Sequence, residues 1–117
     1  MLAGENRLRK NSDFRTVYQK GRVYWSRFFV LRTLKRSDTG STRFGIAPSR
    51  KIKGAVQRNK IKRRVREICH QQKNQINDGF DLVINIRRES LQVSYWELKK
   101  DLEYLFQKSS IKMITGA

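Results

Sequence analysis

Gly54-Ala55-Val56-Gln57-Arg58-Asn59-Lys60-Ile61-Lys62-Arg63-Arg64-Val65-Arg66-Glu67-Ile68-Cys69 is the stretch from which the rest of the chain can be read. Ile61, Val65, Ile68 and Cys69 recur at helical spacing, and the turn-like Asn77-Asp78-Gly79 follows, so the spacing predicts a helix from Gly54 to about Lys73. At about 100° per residue, Val65 and Ile68 stay on the side of Ile61, while Asn59, Lys62, Arg63 and Arg66 fall opposite. Lys60 and Arg64 occupy one flank, and Arg58 lies nearer the boundary. Such a helix offers only a narrow apolar seam and needs a sheet to pack on. With the residues just before it, Arg50, Lys51, Lys53, Arg58, Lys60, Lys62, Arg63, Arg64 and Arg66 make nine cations without an acid, a third of the 27 in the chain.

The flanking segments supply the sheet. Val23 to Leu34 is aromatic and β-branched, and Phe44-Gly45-Ile46-Ala47 resumes after the polar stretch 36–42, which predicts two strands joined as a hairpin. Phe80 to Ile86 reads as a buried strand of the same sheet. Asn11-Ser12-Asp13 offers helix-capping side chains before Phe14, Val17 and Tyr18, with Gly21 as a C-terminal cap, giving a short helix over about 13–20. Ser94-Tyr95-Trp96-Glu97 is a capping box that opens a last helix to about Lys108, with Tyr95, Leu98, Leu102 and Leu105 on one stripe. The fold class expected is α+β, in the order αββαβα, with a central mixed sheet packed by helices. All 117 residues form one domain on this reading, with 109–117 as a frayed tail.

Lys and Arg outnumber Asp and Glu by 27 to 10, a net charge of +17, which points to a polyanionic partner and first to nucleic acid. No run approaches the length of a membrane span, and the first ten residues lack the apolar stretch of a signal peptide, so no membrane partner and a cytoplasmic location are expected. With one cysteine, Cys69, and one histidine, His70, neither an internal disulfide nor a Cys/His zinc site can be assembled. Adjacent on a helix, their side chains diverge by about 100° and do not form a nucleophile and base. The ten carboxylates are dispersed, and no phosphate-binding glycine loop is present. No catalytic residue and no side-chain metal site is therefore assigned.

Arginines grip phosphates with a planar fork, and the amides that open a helix attract anions, so Arg58-Asn59-Lys60 is placed to hold a nucleic-acid backbone. Phe14 and Tyr18 lie one turn apart, and Tyr24, Trp25, Phe28 and Phe29 stand among Arg22, Arg27 and Arg32. Aromatics among cations suit unpaired bases. Core packing is the competing role for each ring, since strand alternation puts some of them inside.

The run Ser49 to Arg63 resembles the signature of the bacterial ribonuclease P protein component. The likeness extends through Arg7-Leu8, Asp13-Phe14, Phe28-Phe29-Val30, Arg43-Phe44-Gly45-Ile46 and Asp81 to Arg87. It implies a left-handed βαβ crossover carrying the basic helix, against the usual right-handed rule. It further implies an accessory to a catalytic RNA that removes the 5′ leader of precursor tRNA, with magnesium bound mainly by that RNA and no obligate protein partner. Arg50, Lys51, Lys53, Arg58, Asn59, Lys60, Lys62, Arg63 and Arg66 would face the RNA subunit. Phe14, Tyr18, Arg27, Phe29, Arg32 and Arg43 would line the leader cleft. Three positions depart from the family pattern: Lys60 replaces an arginine, Arg32 an aromatic and Pro48 a valine. Pro48 lacks an amide donor, so the strand should end there or lie at an edge. The alternative reading is a non-catalytic basic RNA-binding module such as a ribosomal protein.

Overall fold

The computed structural model describes residues 2–111. Helix α1 spans Asn11–Lys20, strands β1, β2 and β3 span Arg22–Trp25, Phe29–Lys35 and Arg43–Pro48, helix α2 spans Ala55–Gln72, strand β4 spans Phe80–Ile86, and helix α3 spans Tyr95–Lys108. Short 3-10 turns cover Gly4–Asn6, Lys73–Gln75 and Arg88–Gln92. The sheet order is β1-β2-β4-β3, with β4 antiparallel to β2 and parallel to β3.

The expected element order holds, but the expected hairpin does not. The segment 23–34 is itself two antiparallel strands, turned at Ser26-Arg27-Phe28, and β4 inserts between β2 and β3. Ser26 makes this turn: its hydroxyl donates to the Asp101 carboxylate of α3 at 2.6 Å, and the Phe28 amide donates to the same oxygen at 3.1 Å. The turn is thus pinned by a partner some 75 positions away, which a local reading does not contain. Pro48 ends β3, an edge strand, as its missing amide requires.

Alternation along β4 sorts the two layers. Leu82, Ile84 and Ile86 join Phe29, Leu31, Phe44, Ile61, Val65, Ile68, Leu98, Leu102, Leu105 and Phe106 in the main core beneath α2 and α3. Val83 instead meets Leu8 and Val17 beneath α1, with Phe14 and Leu34 packed alongside. Each fully buried aliphatic residue contributes roughly 1.5–3 kcal/mol through removal of apolar surface from water, so the sheet is held from both sides.

One helix start differs from expectation and another follows it. Asn11, Ser12 and Asp13 lie within α1 rather than before it; Lys10 is the N-cap and no side chain caps the helix. Ser94 does cap α3, its hydroxyl accepting from the Glu97 amide at 3.2 Å. Of residues 109–111, expected to fray, Ser109 and Ile111 are buried: Ile111 is in the core and its carbonyl accepts from the Asn77 amide at 2.8 Å. Residues 112–117, the rest of that segment, lie outside the described residues.

Gly45 on β3 seats the half-buried Phe14. A Cβ there would stand 2.5 Å from Cζ and 2.6 Å from Cε1 of the Phe14 ring. Gly45→Ala is expected to lower stability by about 1–3 kcal/mol, the usual cost of overpacking. Part of the loss should return in the Gly45→Ala/Phe14→Leu double variant, read by thermal unfolding.

Candidate nucleic-acid interface

Gly54 opens α2 at φ 85°, in the left-handed region where a side chain is strained, and the basic helix follows directly. Arg50, Lys51, Lys53, Asn59, Lys60 and Arg63 are exposed, with Arg64 half-buried on the flank beside Lys60. Lys62 and Arg66 are half-buried and line a groove of about 250 Å³ with Arg7, Arg9 and Phe14 of the N-terminal segment. Arg58 differs from its neighbours. Its guanidinium turns inward and donates to the carbonyls of Ser49 at 2.9 Å and Ile52 at 3.2 Å, clamping the loop that carries Arg50 and Lys51. It shapes the basic surface more than it extends it.

On the opposite side of the sheet, α1 leaves a cleft of about 370 Å³ lined by Tyr18, Val30, Arg32, Ser49, Lys51, Asn85 and the 86–89 segment. Tyr18 is 44% exposed, and the Arg32 guanidinium carbon lies 4.7 Å from its ring centroid. Arg32 donates to Oδ1 of Asn85, and Nδ2 of Asn85 donates to the Tyr18 hydroxyl at 2.8 Å. A ring, a cation and an amide are held together and open to solvent, a combination that can stack a base and hold a phosphate. The sequence reading missed Asn85, although a polar residue at one alternate position of the run Leu82 to Ile86 was its signal.

The other residues assigned to the cleft divide. Phe14, seated on Gly45, lines the groove with Lys62 and Arg66 and not the cleft of Tyr18 and Arg32. Phe29 is 0% exposed and faces α2 and α3, so it does not line the cleft; it falls on the strand face that β4 and the two helices cover. Arg27 sits in the β1–β2 turn, its guanidinium carbon 5.3 Å from the Phe28 ring centroid, apart from the residues that line the cleft.

Arg43 is held by acids. Its Nε and one terminal nitrogen donate to the buried Asp81 carboxylate at 2.8 and 2.7 Å, and its other terminal nitrogen lies 3.4 Å from Asp13. Arg36 reaches Asp81 at 2.7 Å and Asp38 at 3.0 Å. The hydrogen bond to Asp81 raises Arg43 above the usual guanidinium range, and in Arg36 hydrogen bonds to Asp38 and Asp81 outweigh a partial desolvation that acts the other way. The Arg36 hydrogen bond, then the Gly40 amide, hold Asp38 below the usual carboxylate range. This network ties β2, β3 and β4 to α1, and it takes up Arg43, which the sequence reading assigned to a ligand.

Among the described residues no group of three or more His, Cys, Asp or Glu side chains is placed to hold a metal ion. Cys69 is buried, and desolvation pushes its thiol up, away from the thiolate a nucleophile needs.

A family model described as Ribonuclease P matches residues 2–110. The chain belongs to the ribonuclease P protein family. It is 39% identical over 113 residues to the ribonuclease P protein component of Bacillus cereus strain AH820, covering 97% of this chain and 95% of that protein. The solved RNase P protein of Staphylococcus aureus superimposes with a TM-score of 0.84 at 30% identity, over 92% of this chain and 98% of that one. The RNase P protein of Thermotoga maritima gives 0.79 at 32% identity, over 94% and 98%. The role is that of a ribonuclease P protein subunit, whose partner is the RNase P RNA, and the ribosomal-protein alternative is not favoured.

Two substitutions separate a cation held by the fold from one left at the surface. Arg63→Ala should flatten the salt dependence of RNA binding by about one unit of slope and leave thermal stability unchanged, whereas Arg58→Ala should also lower the melting temperature by loosening the 49–53 loop. Asp81→Asn leaves two guanidinium groups short of a counter-charge. It should cost about 3 kcal/mol in urea unfolding, the lower edge for a broken buried pair, because the Arg43 side chain remains 30% exposed.

Proposed function

We propose that the subunit holds the 5′ leader of precursor tRNA in the cleft between α1 and the sheet, while α2 docks on the RNA subunit, which carries out the phosphodiester hydrolysis. The observation that carries this reading is the Tyr18–Arg32–Asn85 assembly, exposed on one face of the sheet while the basic helix occupies the other. Two RNA segments can then be held at once, on surfaces that adjoin at Lys51. The Tyr18 ring is exposed beside a cation, which suits an unpaired strand better than a duplex.

Assigning the chemistry to the RNA agrees with the protein's own side chains. His70 follows the buried Cys69 on one helix, and Asp81, Asp38 and Asp13 all face arginines. These residues do not fit a magnesium site; the proposed cofactor, magnesium, is therefore assigned mainly to RNA phosphates. The exposed cations Arg50, Lys51, Lys53, Lys60 and Arg63, with Asn59, supply charge that draws those phosphates together. The proposed place of action is the cytoplasm, where the precursor is made; no helix among the described residues is long and apolar enough to cross a membrane.

Multiple-turnover cleavage of a precursor tRNA by a bacterial RNase P RNA at low magnesium tests the proposal. Stimulation is expected only when RNA and protein are both present, with no cleavage by protein alone. Tyr18→Ala and Arg32→Ala should each weaken binding of leader-bearing precursor by roughly tenfold, within the range for loss of a stacked base, and leave leaderless tRNA unaffected. Equal losses on both substrates would remove the leader from this cleft.

A further inference from the structure

Helix α3 carries a second arrangement of rings and cations that neither surface above uses. Leu98, Leu102, Leu105 and Phe106 face the core, whereas Trp96, Lys100, Tyr104 and Lys108 recur every fourth residue on the outer side. Trp96 is 71% exposed and Tyr104 52%, two of the largest apolar side chains left in water. Each ring has an ammonium beside it: Lys99 Nζ lies 5.4 Å from the Trp96 centroid and Lys108 Nζ 5.7 Å from that of Tyr104. Of the three acids on this helix, Asp101 accepts from Ser26 and Glu103 from Gln72, so both are turned to other elements, and Glu97 is exposed in the first turn.

The stripe continues onto α2. Tyr95 stacks obliquely on Trp96, with centroids 5.5 Å apart, and lines a groove of about 530 Å³ with Lys60, Arg63, Arg64, Arg66 and one acid, Glu67. The two exposed rings stand about 12 Å apart along the helix axis. A strand lying along α3 from its C-terminal end therefore meets Lys108, Tyr104, Lys100 and Trp96 in turn and then, past Tyr95, the basic flank of α2.

We propose that the outer face of α3, from Tyr95 and Trp96 to Tyr104 and Lys108, is a binding surface for a single-stranded segment of RNA, separate from the leader cleft. Bases stack on Trp96 and Tyr104, and Lys99, Lys100 and Lys108 balance the phosphates. A second copy of this chain or an apolar partner helix would leave these ammonium groups facing each other or buried without a counter-charge, whereas RNA supplies both charge and flat faces. The inference rests on the reading of RNA as the partner.

The test uses the full chain carrying Trp25→Phe, which leaves Trp96 as the sole indole. Titration with a twelve-nucleotide oligouridylate should quench Trp96 fluorescence, and a twelve-base-pair RNA duplex should quench it far less. Tyr104→Ala should weaken this quenching titration roughly tenfold, as expected for loss of one stacked base, with the melting temperature unchanged because the ring is outside the core. No quenching, equal quenching by duplex, or no effect of Tyr104→Ala would overturn the proposal. Self-association of the free protein that shields Trp96 would overturn it as well, by assigning the face to a second copy. Precursor cleavage with RNase P RNA is measured on the same samples. If cleavage is stimulated while the α3 titration fails, only the α3 surface is lost; if cleavage also fails, the subunit reading falls with it.

Discussion

The strand β4 has a hydrogen-bonded neighbour on both edges and a layer of helix on both faces, and the rest of the molecule is arranged around that constraint. A strand so placed cannot present a polar side chain unless something satisfies it. Leu82, Ile84 and Ile86 meet this on the side of α2 and α3 by being apolar. The alternate residues, Asp81, Val83 and Asn85, face α1, and only the middle one is apolar. Asp81 is neutralised by Arg36 and Arg43 at one end of the strand, and Asn85 is paired with Arg32 and Tyr18 at the other. One period-two pattern therefore builds a structural ion network and the proposed leader cleft on the same face, separated by Val83.

This division explains why cations that look alike in the sequence act differently. Arg58 and Arg43 have carbonyls or carboxylates within reach and turn toward them. Arg63 and Lys60 remain at the surface. An arginine has five donors in a fixed plane, so a partner enclosed by the fold fixes its direction, while a lysine on an exposed face keeps its freedom. Charge density alone marks the region proposed to meet RNA; the carbonyls of Ser49 and Ile52 decide which cation supports that region from beneath.

What could be read from the sequence was whatever local periodicity determines. The seam Ile61, Val65 and Ile68 gave the face of α2, Ser94 gave the start of α3, and the apolar run 80–86 gave β4. Pro48 correctly marked the end of an edge strand because its missing amide is a property of the residue itself. Partners distant in the chain were not legible. Nothing near Ser26 announces Asp101, and nothing in 29–48 says that a strand starting at Phe80 will separate β2 from β3. The same limit applied to the cleft: Tyr18 and Arg32 stood out by type, Asn85 did not, and Phe29 was misplaced because alternation gives two faces without saying which one the helices cover.

The position of β4 also bears on the order in which the chain can fold as it is made. The β1–β2 ribbon closes over a short turn, but β3 has no partner in that ribbon and waits for a strand whose last residue is Ile86. Until then the basic helix has been synthesised without the sheet beneath its apolar seam, and Phe14 and Gly45 lack Val83 to close the layer behind them. Pairing distant in sequence must absorb the entropy of closing the intervening loop before its contacts form. For a nascent chain this makes assembly a late event, with most of the positive charge already outside the ribosome when the sheet closes.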